Sequence, residues 1–364
     1  MKTDKAVTET KEDLSWYEWL KGLSILIYET IFQKLHSRHL PYPLPLPPLN
    51  GINCIVTGST SGIGLEIARQ MAQSGAHLIM AVRNPDAAQE IIKIWSKSNP
   101  IDAQIMELDL LSLESVVKFS ETYNSKSKPL HLLINNAGIF NIGESQKLSK
   151  NGFESHLQVN HLGPALLSIL LLPSLQKGSK SRIINVNSLM HCVGFVDTND
   201  MNFIIGARNF TNLKAYSSSK LAQIMFFSEL QKRLGLESGV ISVICVDPGS
   251  VRTNVARKLP KVVQIAYHWI PFLFDALEGS RSAVFAATDD GVLKYCEELR
   301  NKGEAESCAY IACNCRPIRP SKEAYNVAVS GLVWEKTLDM IGLRSNAVDK
   351  IMEGKQVQCT YEAD

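Results

Sequence analysis

From Gly51 onward, short apolar runs alternate with stretches of helical periodicity, and few architectures accommodate that alternation. Residues 52–56, 77–82, 103–108, 132–135, 182–186 and 240–246 read as buried strands. Between them, residues 62–74, 85–97, 112–124, 152–177 and 214–235 read as helices. Strands that are apolar along their whole length must be covered on both faces, and repeated βα units supply that cover. The expected fold is therefore α/β, a doubly wound parallel sheet flanked by helices. Right-handed crossovers then gather the functional residues at the carboxyl ends of the strands.

The first fifty residues read differently. Residues 1–13 are mostly polar and charged, which is no secretory signal, so a reducing intracellular compartment is expected. Residues 14–35 place Trp16, Trp19, Leu20, Leu23, Leu26, Ile27 and Ile31 three or four apart, an amphipathic helix with a broad apolar stripe. Glu18, Lys21, Glu29 and Lys34 interrupt it, so it does not span a bilayer. It packs on its own domain or a partner subunit, leaving a homodimer open, or it lies peripherally on a membrane. The proline-rich stretch 41–48 is a semi-rigid linker. The expected division is a 1–48 extension and a 49–364 α/β domain, with a distinct segment at about 250–280.

Charge and cysteines exclude several classes. Lys and Arg number 38 against 36 Asp and Glu, interspersed, so no basic footprint for nucleic acid exists. Cys308, Cys313 and Cys315 cluster without a nearby histidine, a poor zinc spacing. Cys54 and Cys245 lie in apolar strands, where buried free thiols are expected.

Thr57-Gly58-Ser59-Thr60-Ser61-Gly62-Ile63-Gly64 joins the first strand to the first helix. Gly58 suits a tight turn, Gly62 a close backbone approach to a pyrophosphate, and Gly64 close packing of helix on sheet. The helix N-terminus offers free N–H groups and partial positive charge to phosphate oxygens. At the end of the second strand an acidic residue would bind the ribose hydroxyls of NAD, yet none occurs from Gln70 to Pro85, and Arg83 stands there instead. A guanidinium suits a 2′-phosphate, so NADP(H) is the expected cofactor.

Tyr216 and Lys220 are four apart, hence on one helical face. A tyrosine titrates near pH 10, and an ammonium beside it favours the phenolate. Ser188 follows the strand 182–186, at the end where a doubly wound sheet binds its ligand.

These motifs, in this order, resemble the short-chain dehydrogenase/reductase family, whose fold is of the Rossmann type, over roughly residues 51–343. They are Thr57 to Gly64; Asp109 within Leu108-Asp109-Leu110; Asn135-Asn136-Ala137-Gly138; Asn160; Ser188; Tyr216 with Lys220; and Pro248-Gly249 followed by Thr253. Asn187 departs from the serine that many relatives carry. More narrowly, the chain resembles the plant FOREVER YOUNG-type oxidoreductases, a likeness that points to shoot development, and the retinol dehydrogenases. The resemblance implies that Tyr216 moves a proton at the substrate oxygen, Lys220 lowers the Tyr216 pKa and binds the nicotinamide ribose, and Ser188 polarises the carbonyl. It implies that Asn160 holds a water linking Lys220 to solvent, and that hydride transfer needs no metal. The implied cofactor set is Gly58, Ser59, Ser61, Gly62, Ile63, Gly64, Arg83, Asp109, Leu110, Asn136, Ala137, Gly138, Tyr216, Lys220, Pro248, Gly249 and Thr253.

The segment after Gly249 carries Val262, Val263, Ile265, Ala266, Tyr267, Trp269, Ile270, Phe272, Leu273 and Phe274, which suits an apolar carbonyl or alcohol, a subunit or a membrane. Phe195, Phe203 and the insertion 194–213 are candidates for the opposite wall. His191 is a substrate contact or a structural histidine. The competing functional classes are an NADP(H)-binding regulatory or scaffold protein without turnover, and an apolar-ligand carrier.

Overall fold

A computed structural model describes residues 16–97, 100–205, 210–235, 241–252, 270–302 and 308–362. Seven parallel strands form one sheet in the order β3-β2-β1-β4-β5-β6-β7. They are β1 (Asn53–Thr57), β2 (His77–Val82), β3 (Ala103–Glu107), β4 (Leu132–Asn135), β5 (Ser181–Val186), β6 (Ile241–Val246) and β7 (Ala309–Ile311). The chain winds outward from β1 in one direction and from β4 in the other, so the two halves part between β1 and β4. Loops leaving the carboxyl ends of those neighbours diverge there and open a cleft.

The crossovers divide between the faces. On one side α2 (Gly62–Gln73), α3 (Pro85–Trp95), α9 (Ala276–Thr288) and α10 (Asp290–Lys302) cover a core containing Val56, Met80, Ile134, Ile184 and Ile244. On the other, α4 (Leu113–Asn124), α6 (Gly163–Leu170), α8 (Asn212–Leu234) and α11 (Val327–Met340) cover Ile55, Ile79, Leu133, Ile183 and Val243. Successive residues of one strand thus serve opposite cores, the period of two expected of a sheet covered on both sides. The turn after α7 (Leu172–Lys177), and α12 (Ala347–Met352), complete that second layer.

Two differences from the sequence reading have local causes. Residues 152–177 do not form one helix. A short α5 (Ser155–Leu157) runs into a π-helical turn at Gln158–Leu162, and α6 and α7 each restart with a proline in the first turn, Pro164 and Pro173. A proline lacks the N–H that would continue the preceding ladder. Strand β7 is only three residues long, too short to show periodicity, and is defined by pairing with β6.

Helix α1 spans Trp16–His36. Gly22, Gln33 and Ser37 face the domain, and a side chain at Gly22 would collide with Cys192 and Val193. The opposite side shows Leu20, Ile27, Tyr28, Ile31 and Leu35, each at least 40% exposed. One side therefore packs, and an apolar stripe remains at the surface. Among the described residues no helix is long and apolar enough to cross a membrane. The linker also docks: the Tyr42 hydroxyl donates to Asp275 at the start of α9 (2.7 Å), and Arg281 lies over its ring.

Candidate active site

The cleft at the β1/β4 divide has a volume of about 450 Å³. Its floor is built by Thr57, the last residue of β1. The Thr57 hydroxyl accepts from the N–H groups of Asn136 and Ala137, both at 3.0 Å, while the Asn136 amide donates to the Thr57 carbonyl at 3.0 Å. This exchange locks the glycine-rich turn to the Asn136-Ala137-Gly138 turn. Gly58 and Gly62 have φ of +66° and +56°, a region in which a side chain is strained, and a Cβ at Gly58 would come within 2.9 Å of Ala137. A side chain at Gly64 would collide with Asn136 and the Gly58 carbonyl, so the α2 N-terminus reaches the cleft only with glycine there.

Gly58, Ser61, Gly62, Ile63 and Gly64 line the cleft as the motif suggests. Ser59 does not. It is fully buried, because the turn at Gly58 rotates its side chain into the interior, and Thr60 takes the lining position. Arg83 leaves β2 at the rim and is exposed, with Asn84 beside it capping α3 through a bond from Ala87 N–H. Asp109 and Leu110 line the same end, the Asp109 carboxylate being held by the Leu111 N–H at 3.0 Å. Asn136, Ala137, Gly138 and Pro248 complete that wall. Gly249 stands behind it in a turn with φ of +76°. Thr253, and Val262, Val263, Ile265, Ala266, Tyr267 and Trp269, lie outside the described residues.

Tyr216 and Lys220, from the first turns of α8, enter the cleft opposite the glycine-rich turn. Ser188 sits beside the phenol and favours its ionised form; it stands behind the cleft lining, its hydroxyl accepting from Met190 N–H at 3.2 Å. Lys220 is 4% exposed, and its ammonium donates to the Val186 carbonyl at 2.9 Å, lying 5.9 Å from the centre of the Tyr216 ring. Burial lowers the Lys220 pKa to about 8. The Tyr216 pKa is raised to about 12: loss of solvation is the largest cause, the Asp247 carboxylate adds to it, and Ser188 only partly opposes both. In the protein alone burial governs the phenol.

Asn160 is spent on its neighbours. Its amide oxygen accepts from Ile139 N–H (2.8 Å), and its amide nitrogen donates to the Ile139 carbonyl (3.1 Å) and Ser219 (3.0 Å). Its own carbonyl, freed in the π-helical turn, is taken by Gln223 at 2.8 Å. These bonds fix the strand-end loop 137–139 to α8. Asn187 ties Ser188 to the same helix by donating to the Lys220 carbonyl and to Gln223, both at 2.9 Å, which gives the departure from serine a positioning role. His191 is structural: buried, it bonds the Ser188 carbonyl (2.8 Å) and accepts from Ser321 N–H (3.0 Å), and burial lowers its pKa to about 4, leaving it neutral.

Besides Thr60, further site residues escaped the sequence reading. Phe140 stacks on the Tyr216 ring with centroids 4.4 Å apart. The next residue, Asn141, is held by its N–H on His156 Nε2 (3.0 Å), and that ring is oriented by Glu154 at 2.8 Å, a buried pair. Asp247, also buried, accepts from the Leu189 N–H at 3.0 Å, tying the Ser188 loop to the end of β6, and burial raises its pKa to about 6. None of these has a local signature; each is defined by what it meets across the fold. Phe195 and Phe203 stack edge-on at 5.9 Å and line a separate small cavity with Met201 and Ala222 rather than the main cleft.

The family profile described as short chain dehydrogenase matches residues 53–199 and 201–263. Over 364 residues the chain is 53% identical to the Arabidopsis thaliana dehydrogenase/reductase SDR family member FEY, covering 98% of this chain and 96% of the relative. It is 34% identical to the polyprenol dehydrogenase of Danio rerio over 90% of this chain and 96% of that one. It is 31% identical to human retinol dehydrogenase 12 over 81% and 88%. The crystal structure of an uncharacterized Mycobacterium paratuberculosis protein superposes with a TM-score of 0.63 at 28% identity, covering 81% of this chain and 95% of that one.

Proposed function

The chain belongs to the short-chain dehydrogenase family, and from that premise we propose that it is an NADP(H)-dependent oxidoreductase interconverting a carbonyl and an alcohol on an apolar small molecule. The observation that carries the reading is that Tyr216 and Lys220 meet in one cleft, with Ser188 beside the phenol, and that the far end of the cleft holds the glycine-rich turn and Arg83. The cradle fits a dinucleotide: the glycines leave the α2 N-terminus uncovered for phosphate oxygens, and Arg83 offers an exposed guanidinium to a 2′-phosphate. When bound, the nicotinamide supplies or accepts the hydride.

The remaining chemistry belongs to the side chains. Tyr216 gives its phenolic proton to the substrate oxygen in reduction and takes one back in oxidation. Ser188, beside the phenol, donates to the same oxygen and polarises it. Lys220 supports the phenolate as the proton leaves, and Asn160 and Asn187 hold the loops that carry these groups. Phe140 covers one face of the Tyr216 ring, so substrate approaches from the other. The polyprenol and retinol in the names of two relatives support an apolar alcohol or its carbonyl as substrate. The exposed apolar stripe of α1 supports a peripheral lipid-facing position, where such substrates dissolve. A role in plant shoot development rests on the family likeness alone.

The test is a screen of prenyl and retinoid alcohols and aldehydes for change in nicotinamide absorbance, with NADPH binding measured alongside. Turnover with NADP(H) is expected. Tight NADPH binding without turnover of any carbonyl or alcohol would overturn the enzyme reading and leave the regulatory one; apolar-ligand binding without cofactor oxidation would favour a carrier.

A further inference from the structure

The two residues that flank Phe140 are held by side chains from outside their own loop. Ile139 exchanges two bonds with the Asn160 amide, its N–H donating at 2.8 Å and its carbonyl accepting at 3.1 Å. Asn141 donates its N–H to His156 Nε2 at 3.0 Å. Phe140 is therefore fixed from both sides, and its ring lies on that of Tyr216 with centroids 4.4 Å apart and planes only 21° from parallel. The His156 and Phe140 rings stand edge-on to one another, with centroids 6.5 Å apart.

His156 holds Asn141 in one tautomer only. Its Nε2 accepts, so the ring proton sits on Nδ1 and is donated to the Glu154 carboxylate at 2.8 Å. That carboxylate also accepts from the Ser155 hydroxyl (3.1 Å) and the Leu157 N–H (3.0 Å), while the Glu154 N–H is held by Asn202 at 2.6 Å. Glu154 and His156 are 0% and 1% exposed. A buried carboxylate–imidazole pair is a costly way to fill a core, since apolar side chains of like volume often stabilise as well or better. Here the imidazole spends its remaining nitrogen on the backbone beside Phe140, in the wall of the cleft.

We propose that Phe140 is a positioning residue for Tyr216, holding the plane of the phenol and closing one of its faces to water, and that the buried Glu154–His156 pair acts through Phe140. A phenolic O–H lies in the plane of its ring, so that plane sets the line along which the proton passes to substrate, and a misaligned transfer is slow. The inference rests on the oxidoreductase reading above and extends it to a pair that does not line the cleft. Removing the His156 acceptor frees the Asn141 N–H and lets Phe140 tilt away from Tyr216. The glycine-rich turn and Arg83 lose no bond.

The test uses the full chain with NADPH and either all-trans-retinal or geranylgeranial, read as the single-turnover rate at saturating aldehyde, with amide hydrogen exchange followed without substrate. Phe140→Leu keeps an apolar side chain on a half-buried loop residue; its rate should fall about tenfold while KM and NADPH affinity stay within about threefold. His156→Leu should lose about as much and exchange its Asn141 amide at least about tenfold faster, and His156→Gln, which returns an acceptor near the place of Nε2, should recover most of both. In the Phe140→Leu background, His156→Leu should cost less than about twofold more, because a residue acting through Phe140 has nothing left to act on. Losses that multiply in the double variant would overturn the proposal, since they are what a purely structural His156 gives. An unchanged rate in Phe140→Leu would overturn it too, and that variant keeps the test open if His156→Leu does not fold. An unaltered protein that reduces neither aldehyde would overturn the oxidoreductase reading and this role with it, whereas an active one with unchanged Asn141 exchange in His156→Leu would remove the clamp alone.

Discussion

Replacing Lys220 with methionine should stabilise the protein at neutral pH while ending its activity. The ammonium is 4% exposed and has one bond, to the Val186 carbonyl. Burial lowers its pKa from 10.5 to about 8, which corresponds to roughly 3 kcal/mol against the charged form in the folded state. Losing the bond to Val186 returns about 1–2 kcal/mol of that. Lys220→Met, similar in length and apolar, should therefore gain about 1–2 kcal/mol, a rise in Tm of roughly 1–3 °C for a chain of this size. The pH dependence identifies the cause. Between pH 8 and 10.5 the unfolded lysine keeps its proton while the folded one has released it, so wild-type stability rises with pH across that window and is flat below it. The advantage of the variant should be greatest below pH 8, cross zero near about pH 9 and reverse by 10.5. Urea denaturation of both proteins from pH 7 to 10.5 measures the difference directly and cancels other groups that titrate there. A variant less stable than wild type at pH 7, or an advantage constant with pH, would refute the reasoning.

Two further substitutions bear on the proposed site. Tyr216→Phe removes one hydroxyl beneath the stacked Phe140 ring; turnover should fall by at least about 10²-fold while NADPH affinity holds, and more than about a tenth of the activity surviving on a chemistry-limited step would place the proton donor elsewhere. Arg83→Ala should weaken NADPH by about 1.5–3 kcal/mol and NADH far less, as measured by titration of both; equal losses would sink the 2′-phosphate assignment.

Much of the scaffold was legible because its determinants are local. Continuous apolar runs marked six of the seven strands, and Pro85 and Ser112 stand at the starts of helices α3 and α4. The short β7 and the broken stretch 155–177 were not, since three residues carry no periodicity and a π-helical turn depends on Gln223 taking the freed carbonyl. Within the site, the order of motifs located the cleft, but only the fold separated Thr60 at its surface from Ser59 beneath it.

By itself the sequence determined the residues whose type answers a demand of their own backbone or their own helix. Gly58 and Gly62 are written by positive φ, and Tyr216 and Lys220 share a face because four residues make roughly one turn. Tertiary structure alone decided what surrounds them. Burial sets the Tyr216 phenol high, and Phe140 reaches its ring from a different strand end. His191 became a buried brace because Ser321, 130 positions later, closes over it. Gln33 reads as one more polar residue on an amphipathic helix until the fold sets it against Ser250, 217 positions away. Desolvation and hydrogen bonding depend on which groups arrive from elsewhere in the chain, and no local pattern records that.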